Sequence, residues 1–184
     1  MEEIKIILVP EAKLTPSQKE SILKLQKECF SDVDRQSIEE DFIAESFARI
    51  FALKNQEIVG ILRLFKRDII FSGKKILLGG LAGTCVTESS RRRGVATKIL
   101  KKGLEILKQE KCDIACLNAD LEKRAYELYE EVGFKLMKRK ISFENSKGKI
   151  KFDTGTMFIP VCSKQIYDYI IKSKKTFHYG KGYW

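Results

Sequence analysis

The chain reads as an α/β (α+β) protein of one domain, and three observations carry that reading. Three strand-like runs, 47–54, 57–71 and 75–87, follow one another with only short turns between them, the pattern of an antiparallel meander. The last run feeds an amphipathic helix at 93–110. A strand at 112–117 and a helix at 121–131 then repeat the alternation. At 184 residues the chain falls within the size of a single core. Neither repeat, low-complexity linker nor shift in composition marks a boundary, so residues 1–184 are expected to form one unit.

The elements follow in order. Ile4-Lys5-Ile6-Ile7-Leu8-Val9, β-branched and closed by Pro10, predicts a buried strand. Thr15 as N-cap, Pro16 at the first helical position and Gln18 three residues after the cap predict a helix whose inward stripe is Ile22, Leu25 and Cys29. Ser37 with Glu40 signals a second, shorter helix through about residue 45, and the acidic loop Ser31-Asp32-Val33-Asp34 separates the two. Turns at Asn55-Gln56 and Ser72-Gly73 join the meander. Its third strand holds Gly79, Gly80 and Gly83, and glycines inside a strand mark a bulge or the close approach of another backbone.

In the helix at 93–110, Val95, Ile99, Leu100, Gly103, Leu104 and Leu107 recur at three- and four-residue spacing. Gly103 costs roughly 1 kcal/mol against alanine there, a sign of tight packing on the sheet. Leu121, Ala125, Leu128, Tyr129 and Val132 line the next helix, and Gly133 stops it. A strand over 134–144 returns, and Ser146-Lys147-Gly148 turns the chain toward a last strand ending near Val161.

Composition narrows the function. A hydrophobic fraction of 43% beside 33% charged residues is globular, and no run reaches the roughly 18 apolar residues of a membrane span. Met1-Glu2-Glu3-Ile4-Lys5 puts acids where a secretory signal would be basic, which predicts a cytoplasmic protein. Five scattered cysteines, Cys29, Cys85, Cys112, Cys116 and Cys162, do not form a disulfide framework and read as thiols. Strand periodicity puts Cys112 and Cys116 on one face. With one histidine and no second close cysteine pair, no metal site is expected. The net charge of +10 favours an anionic partner, but no nucleic-acid recognition motif accompanies it.

The segment Val86-Thr87-Glu88-Ser89-Ser90-Arg91-Arg92-Arg93-Gly94-Val95-Ala96 joins the glycine-rich strand to the helix. Unpaired N–H groups at a helix start and the helix dipole favour an anion there, and Gly94 lets a phosphate approach without a Cβ in the way. Arg91, Gly94 and Ala96 in the spacing RxxGxA resemble motif A of the GNAT acetyltransferases. Ala125-Tyr126-Glu127-Leu128-Tyr129-Glu130-Glu131-Val132-Gly133-Phe134 resembles their motif B, AxxLYxxxGF. The order of elements matches that fold, whose central sheet is mixed, mostly antiparallel, splayed at the cofactor site and covered by helices on both faces.

The resemblance implies acetyl-CoA as cosubstrate and transfer of its acetyl group to a primary amine by direct attack. It implies that backbone groups of Thr84, Cys85 and Val86 pair with the pantetheine arm. Arg91, Arg92, Arg93, Gly94, Val95 and Ala96 would hold the pyrophosphate, and Tyr129 would protonate the departing thiolate. Glu122 stands where the family often has asparagine. Glu88, Asp32 and Asp34 are candidate bases, and His178 is a further one. A GNAT-fold module that binds acyl-CoA without turnover is the alternative.

A narrower resemblance covers Asp153-Thr154-Gly155-Thr156-Met157-Phe158-Ile159-Pro160 and His178-Tyr179-Gly180-Lys181-Gly182-Tyr183-Trp184, which are similar to stretches of aminoglycoside 2'-N-acetyltransferases. It implies that the chain end folds back to the acceptor site, with Asp32, Asp34, Ala82, Gly83, Asp153 and Trp184 lining it and the carboxylate of Trp184 facing a cationic sugar. Ala82 and Gly182 stand where those enzymes carry acids. A small-molecule amine is therefore the expected partner, with neither nucleic acid nor membrane; a homodimer is compatible with the sequence.

Overall fold

Ten strands and four α-helices are present among the described residues, which are 3–31, 39–121 and 125–184 of a computed structural model. Strand β1 (Lys5–Pro10) pairs antiparallel with β2 (Ala48–Lys54) and with nothing beyond it. It is an edge strand with Leu8 exposed, not the buried strand its apolar sequence predicts. Helix α1 (Pro16–Cys29) starts as expected. Gln18 N donates to Thr15 Oγ1 at 3.2 Å and Thr15 N to Gln18 Oε1 at 3.0 Å, and Ile22 and Leu25 are buried.

The second helix ends earlier than expected. Residues 39–40 are helical, but 42–46 are not, and Ser37 lies outside the described residues. Tertiary bonds hold this stretch open: Tyr183 N donates to Asp41 O at 2.7 Å, and Ser46 Oγ donates to Glu11 Oε2 at 2.7 Å.

The meander is β2, β3 (Glu57–Phe71) and β4 (Lys74–Val86), antiparallel throughout. Strand β4 then pairs in parallel with β5 (Ile114–Asn118), and β5 lies antiparallel to β9 (Thr156–Pro160). The run 134–144 is not one strand. Its start, β6 (Lys135–Leu136), pairs with β9, whereas β7 (Ile141–Glu144) leaves for a second sheet with β8 (Ile150–Asp153) and β10 (Phe177–Lys181). The expected last strand is likewise divided, between β8 in the small sheet and β9 in the large one, at Gly155 (φ +92°).

Helices α2 (Val95–Gln109) and α3 (Ala125–Val132) cover one face of the large sheet over Leu62, Leu64 and Leu81. Gly103 sits against Leu62, Leu64 and Leu81 so closely that a Cβ would lie 2.9 Å from two of their methyls, as the helix pattern foretold. On the other face α1 packs over Phe51, Ile61 and Cys85. The small sheet and α4 (Lys164–Lys172) pack there over Phe65, Ile76, Leu78 and Phe158. The mixed, mostly antiparallel sheet with helices on both faces is therefore present, enlarged by a second sheet that the sequence reading lacked.

Two cysteine expectations fail. Cys29 of α1 and Cys85 of β4 form a disulfide, leaving Cys112, Cys116 and Cys162 as thiols. Cys112 and Cys116 also belong to opposite sides of the sheet, because Cys112 precedes β5 in a turn where Lys111 has φ +60°. Burial pushes both thiols up to about 12.

Candidate active site at the open edge of β4

The parallel pairing of β4 with β5 stops early. Leu78, Gly79 and Gly80 face Ile114, Ala115 and Cys116, and beyond them β4 runs on to Val86 without β5 alongside. Among the described residues, the edge of β4 past Gly80 is thus unpaired on that side. A wedge between two parallel strands offers backbone groups that an extended ligand can bond as an added strand would.

A bulge shapes the wedge. Ile61 of β3 faces Cys85, but Arg63 faces Ala82, so one extra residue of β4 is inserted between them. Gly83 takes up the excess with φ +63°. Consequently Ala82 and Cys85, three residues apart, both lie on the α1 face, whereas Leu81 and Val86 lie on the α2 face.

After β4 a 3₁₀ turn (Glu88–Ser90) leads to Arg91, Arg92, Arg93 and Gly94, all exposed, and then to α2. Gly94 is the N-cap of α2, with φ +72° and no side chain to bond the first N–H groups. Arg92 is also left-handed, at φ +59°, in a position where a side chain costs backbone energy. Left-handed residues alternating around Arg93 form the backbone pattern that turns successive N–H groups into an anion cradle. A Cβ on Gly94 would meet nothing within 4 Å, so packing does not demand the glycine; the backbone angle does. Val95 is buried and Ala96 half-buried beneath the turn.

Arg91 is tied inward. Its Nε donates to Val86 O at 3.0 Å, and its guanidinium lies 4.0 Å from Glu28 Oε1 and 3.8 Å from Cys29 Sγ. Glu28 also accepts from Glu88 N at 2.8 Å. Glu88 itself is exposed at the start of the 3₁₀ turn, and Glu28 is a neighbouring carboxylate that sequence reasoning missed.

Tyr129 of α3 is buried, with the side chain of Thr84 of β4 beside its hydroxyl. Burial raises its pKa, with the neighbouring Thr84 side chain opposing that rise, so the phenol is protonated at neutral pH. The structure therefore brings Tyr129 to the unpaired stretch of β4 that the sequence singled out. Asp32, Asp34 and Glu122 lie outside the described residues.

The chain end does fold back. Trp184 is buried against β4: its indole stacks on Phe65 at 5.3 Å, and a Cβ on Gly80 would lie 2.3 Å from its Cε2. Asn118 Nδ2 donates to Trp184 O at 2.8 Å. Arg67, missed by sequence reasoning, clamps the segment, donating to Tyr179 O at 2.8 Å and Gly182 O at 3.0 Å with its guanidinium 4.5 Å above the indole. Tyr183 donates to Asp153 Oδ2 at 2.7 Å, so Asp153 and Trp184 share one cluster on the Ala82 side of the sheet. His178 is exposed, with Nδ1 3.0 Å from Ser142 Oγ on the small sheet.

This fold and wedge are those of an acyl-CoA-type transferase scaffold, and the family model for the acetyltransferase (GNAT) domain matches residues 12–137. The chain belongs to the GNAT acetyltransferase family. No curated protein matches it in sequence. Among solved structures, the GNAT family N-acetyltransferase YhbS from Escherichia coli in complex with CoA superposes with a TM-score of 0.64 at 14% identity, covering 98% of this chain and 90% of that one. Aminoglycoside N-acetyltransferase AAC(6')-Iy in complex with CoA gives a TM-score of 0.59 at 18% identity, over 76% of this chain and 92% of that one. A GCN5-related N-acetyltransferase from Kribbella flavida gives 0.55 at 17% identity over 73% of this chain. The chain spans only 34% of that protein's length. At these identities the likeness is one of fold.

Proposed function

We propose that the protein transfers the acetyl group of acetyl-CoA to a primary amine of a small molecule. The observation that carries this reading is the conjunction at β4 of an unpaired strand edge, an uncapped helix start and a buried phenol. The N–H groups from Arg93 to Ala96 would hold the diphosphate, with Arg91, Arg92 and Arg93 supplying charge, and the edge at Thr84, Cys85 and Val86 would take the pantetheine arm. Acetyl-CoA supplies an acyl thioester, activated toward amines.

The amine nitrogen bonds to the acetyl carbon as the carbon–sulfur bond breaks and its electron pair passes to sulfur. Tyr129, held neutral by burial, gives its proton to that sulfur. Glu88 would take the amine's proton through water. Juxtaposition on the wedge supplies most of the acceleration, for which effective molarities on the order of 10⁵ M are available.

Tyr129→Phe should lower kcat about 10²- to 10⁴-fold while the heat of CoA binding persists; unchanged turnover removes Tyr129 from the mechanism and favours a role in packing. Binding of CoA with no turnover of any amine by the wild type would favour the alternative of a sensor module. Calorimetry of a folded sample that shows no heat with CoA or acetyl-CoA would defeat the whole reading. The 2'-amine of an aminoglycoside is the acceptor favoured by resemblance of the C-terminal stretches. Kanamycin and gentamicin therefore belong in the assay, which follows thiol release from acetyl-CoA across amines.

A further inference from the structure

Beside the β4 bulge one carboxylate serves two guanidiniums. Arg49 and Arg63 are cross-strand partners on β2 and β3, so both project from the face that carries α1 and the chain end. Glu11 meets Arg49 in a fork, accepting from its Nη2 at 2.8 Å and its Nε at 3.0 and 3.1 Å, and also accepts from Ser46. Arg63 gets less. Its hydrogen bond, from Nη2 to Ala44 O, is 3.4 Å long, and its guanidinium lies 4.8 Å from the centre of the Phe65 ring.

Two donors in this cluster, Arg63 Nε and Arg49 Nη1, are buried without a partner among the described residues. Such donors cost free energy unless something accepts from them. Among the described residues the cluster holds two cations and one anion, and it lies at the acceptor side of the wedge. Arg63 faces Ala82 across the strands, and a Cβ on Gly83 would be 3.8 Å from Arg63 Cδ. Burial and the neighbouring Arg49 push the Arg63 guanidinium down, with Glu11 opposing, as expected where cations outnumber acids.

We propose that Arg63, backed by Arg49 and Glu11, binds a carboxylate on the acceptor, so that the substrate class is an amine that also carries a carboxylate. Planar, forked guanidinium donors suit that group. The inference rests on reading the open edge of β4 as the acyl-donor site. It departs from a polycationic acceptor, which would meet the guanidiniums of Arg63 and Arg67 on this face.

The test compares matched amines that differ in the carboxylate, L-lysine against cadaverine and L-phenylalanine against phenethylamine, with kanamycin as the polycation. Thiol release gives kcat and KM for each, and calorimetry gives the binding of each amine to the protein without acetyl-CoA. The carboxylated member of at least one pair is expected to bind and react at least 10-fold better. Its advantage in KM over its partner should fall about 10- to 100-fold in Arg63→Gln and return in part in Arg63→Lys.

Because Arg63→Gln could unfold the chain, the wild type is also challenged with 6-aminohexanoate's amine-free analogue, hexanoate, and with hexanamide. Competitive inhibition by hexanoate and none by hexanamide supports the assignment. Preference for cadaverine, phenethylamine or kanamycin over the carboxylated amines overturns it, provided that CoA binding is intact. Loss of CoA binding in the wild type would instead overturn the underlying reading of the wedge.

Discussion

Two glycines of the wedge are there for different physical reasons. Gly80 pairs on both sides, with Phe65 and Cys116, and the indole of Trp184 occupies the place of its missing Cβ. Gly94 has open space around it and is required only by φ +72°. Gly80→Ala should therefore force the indole off the sheet. Overpacking of this kind costs about 1–3 kcal/mol, or roughly 2–12 °C in Tm for a chain of this size. Trp184 is the only tryptophan, so its emission reports the event directly: a red shift is expected in Gly80→Ala. In Gly94→Ala the backbone alone should cost about 1–2 kcal/mol, with the emission unmoved. An unshifted spectrum in Gly80→Ala would show that the chain end does not lie on β4. The turn from Arg91 into the start of α2 was legible because its residues are contiguous and the chemistry of a helix start is local. The meaning of Arg63 and Arg67 was not, since it arises from strand register and from a chain end more than a hundred residues away.

Among the elements, α1 is held to β4 by the bond between Cys29 and Cys85, which closes a loop with a sequence separation of 56. A loop of that length corresponds to about 4 kcal/mol of unfolded-state entropy in the chain model, and measured values are more often about 2–4 kcal/mol. Reduction, or Cys29→Ser, should then lower Tm by roughly 4–16 °C. Thermal unfolding with and without dithiothreitol checks this, and equal curves would mean that the thiols are not joined. The same tether holds α1 beside Arg91, so reduced protein should also bind CoA more weakly. What sequence could see here follows from range. The Thr15–Gln18 capping box lies within four residues, and it formed as read. Helix α4 carried a comparable local signal, Ser163 as a cap that accepts from Ile166 N, but the reading stopped at Val161. The division of 134–144 between two sheets has no local cause; β9 claims Lys135 and Leu136, while β10 and β8 claim the residues from Ile141. The disulfide pairs cysteines whose spacing carries no pattern, and an odd total pointed away from it.

At the scale of the whole molecule, a chain of net charge +10 is held together in part by carboxylates that acid will remove. Glu11 is the clearest case. Burial raises its pKa, but the bonds from Arg49 and Ser46 outweigh burial, and the result lies below the ordinary 4.5. A carboxyl whose native pKa is depressed contributes stability that is present above its unfolded value and lost as pH falls through the native one. Stability should thus be flat from neutrality to about pH 5 and decline below 4.5, where the growing positive charge also repels itself. In Glu11→Gln the decline should be shallower, and the variant should start about 1–2 kcal/mol lower at pH 7, a discount being made for the partial exposure of the fork. The two proteins should then converge near pH 3. Urea unfolding at pH 7, 5, 4 and 3 gives both curves. A constant gap across that range would mean that Glu11 acts through shape, and parallel curves of equal height would remove it from the account of acid stability. Because Glu11 is also the acid beside Arg63, the same variant removes the carboxylate that Arg49 and Arg63 share among the described residues. Binding of a carboxylated amine should therefore tighten at pH 7 even as the protein itself becomes less stable.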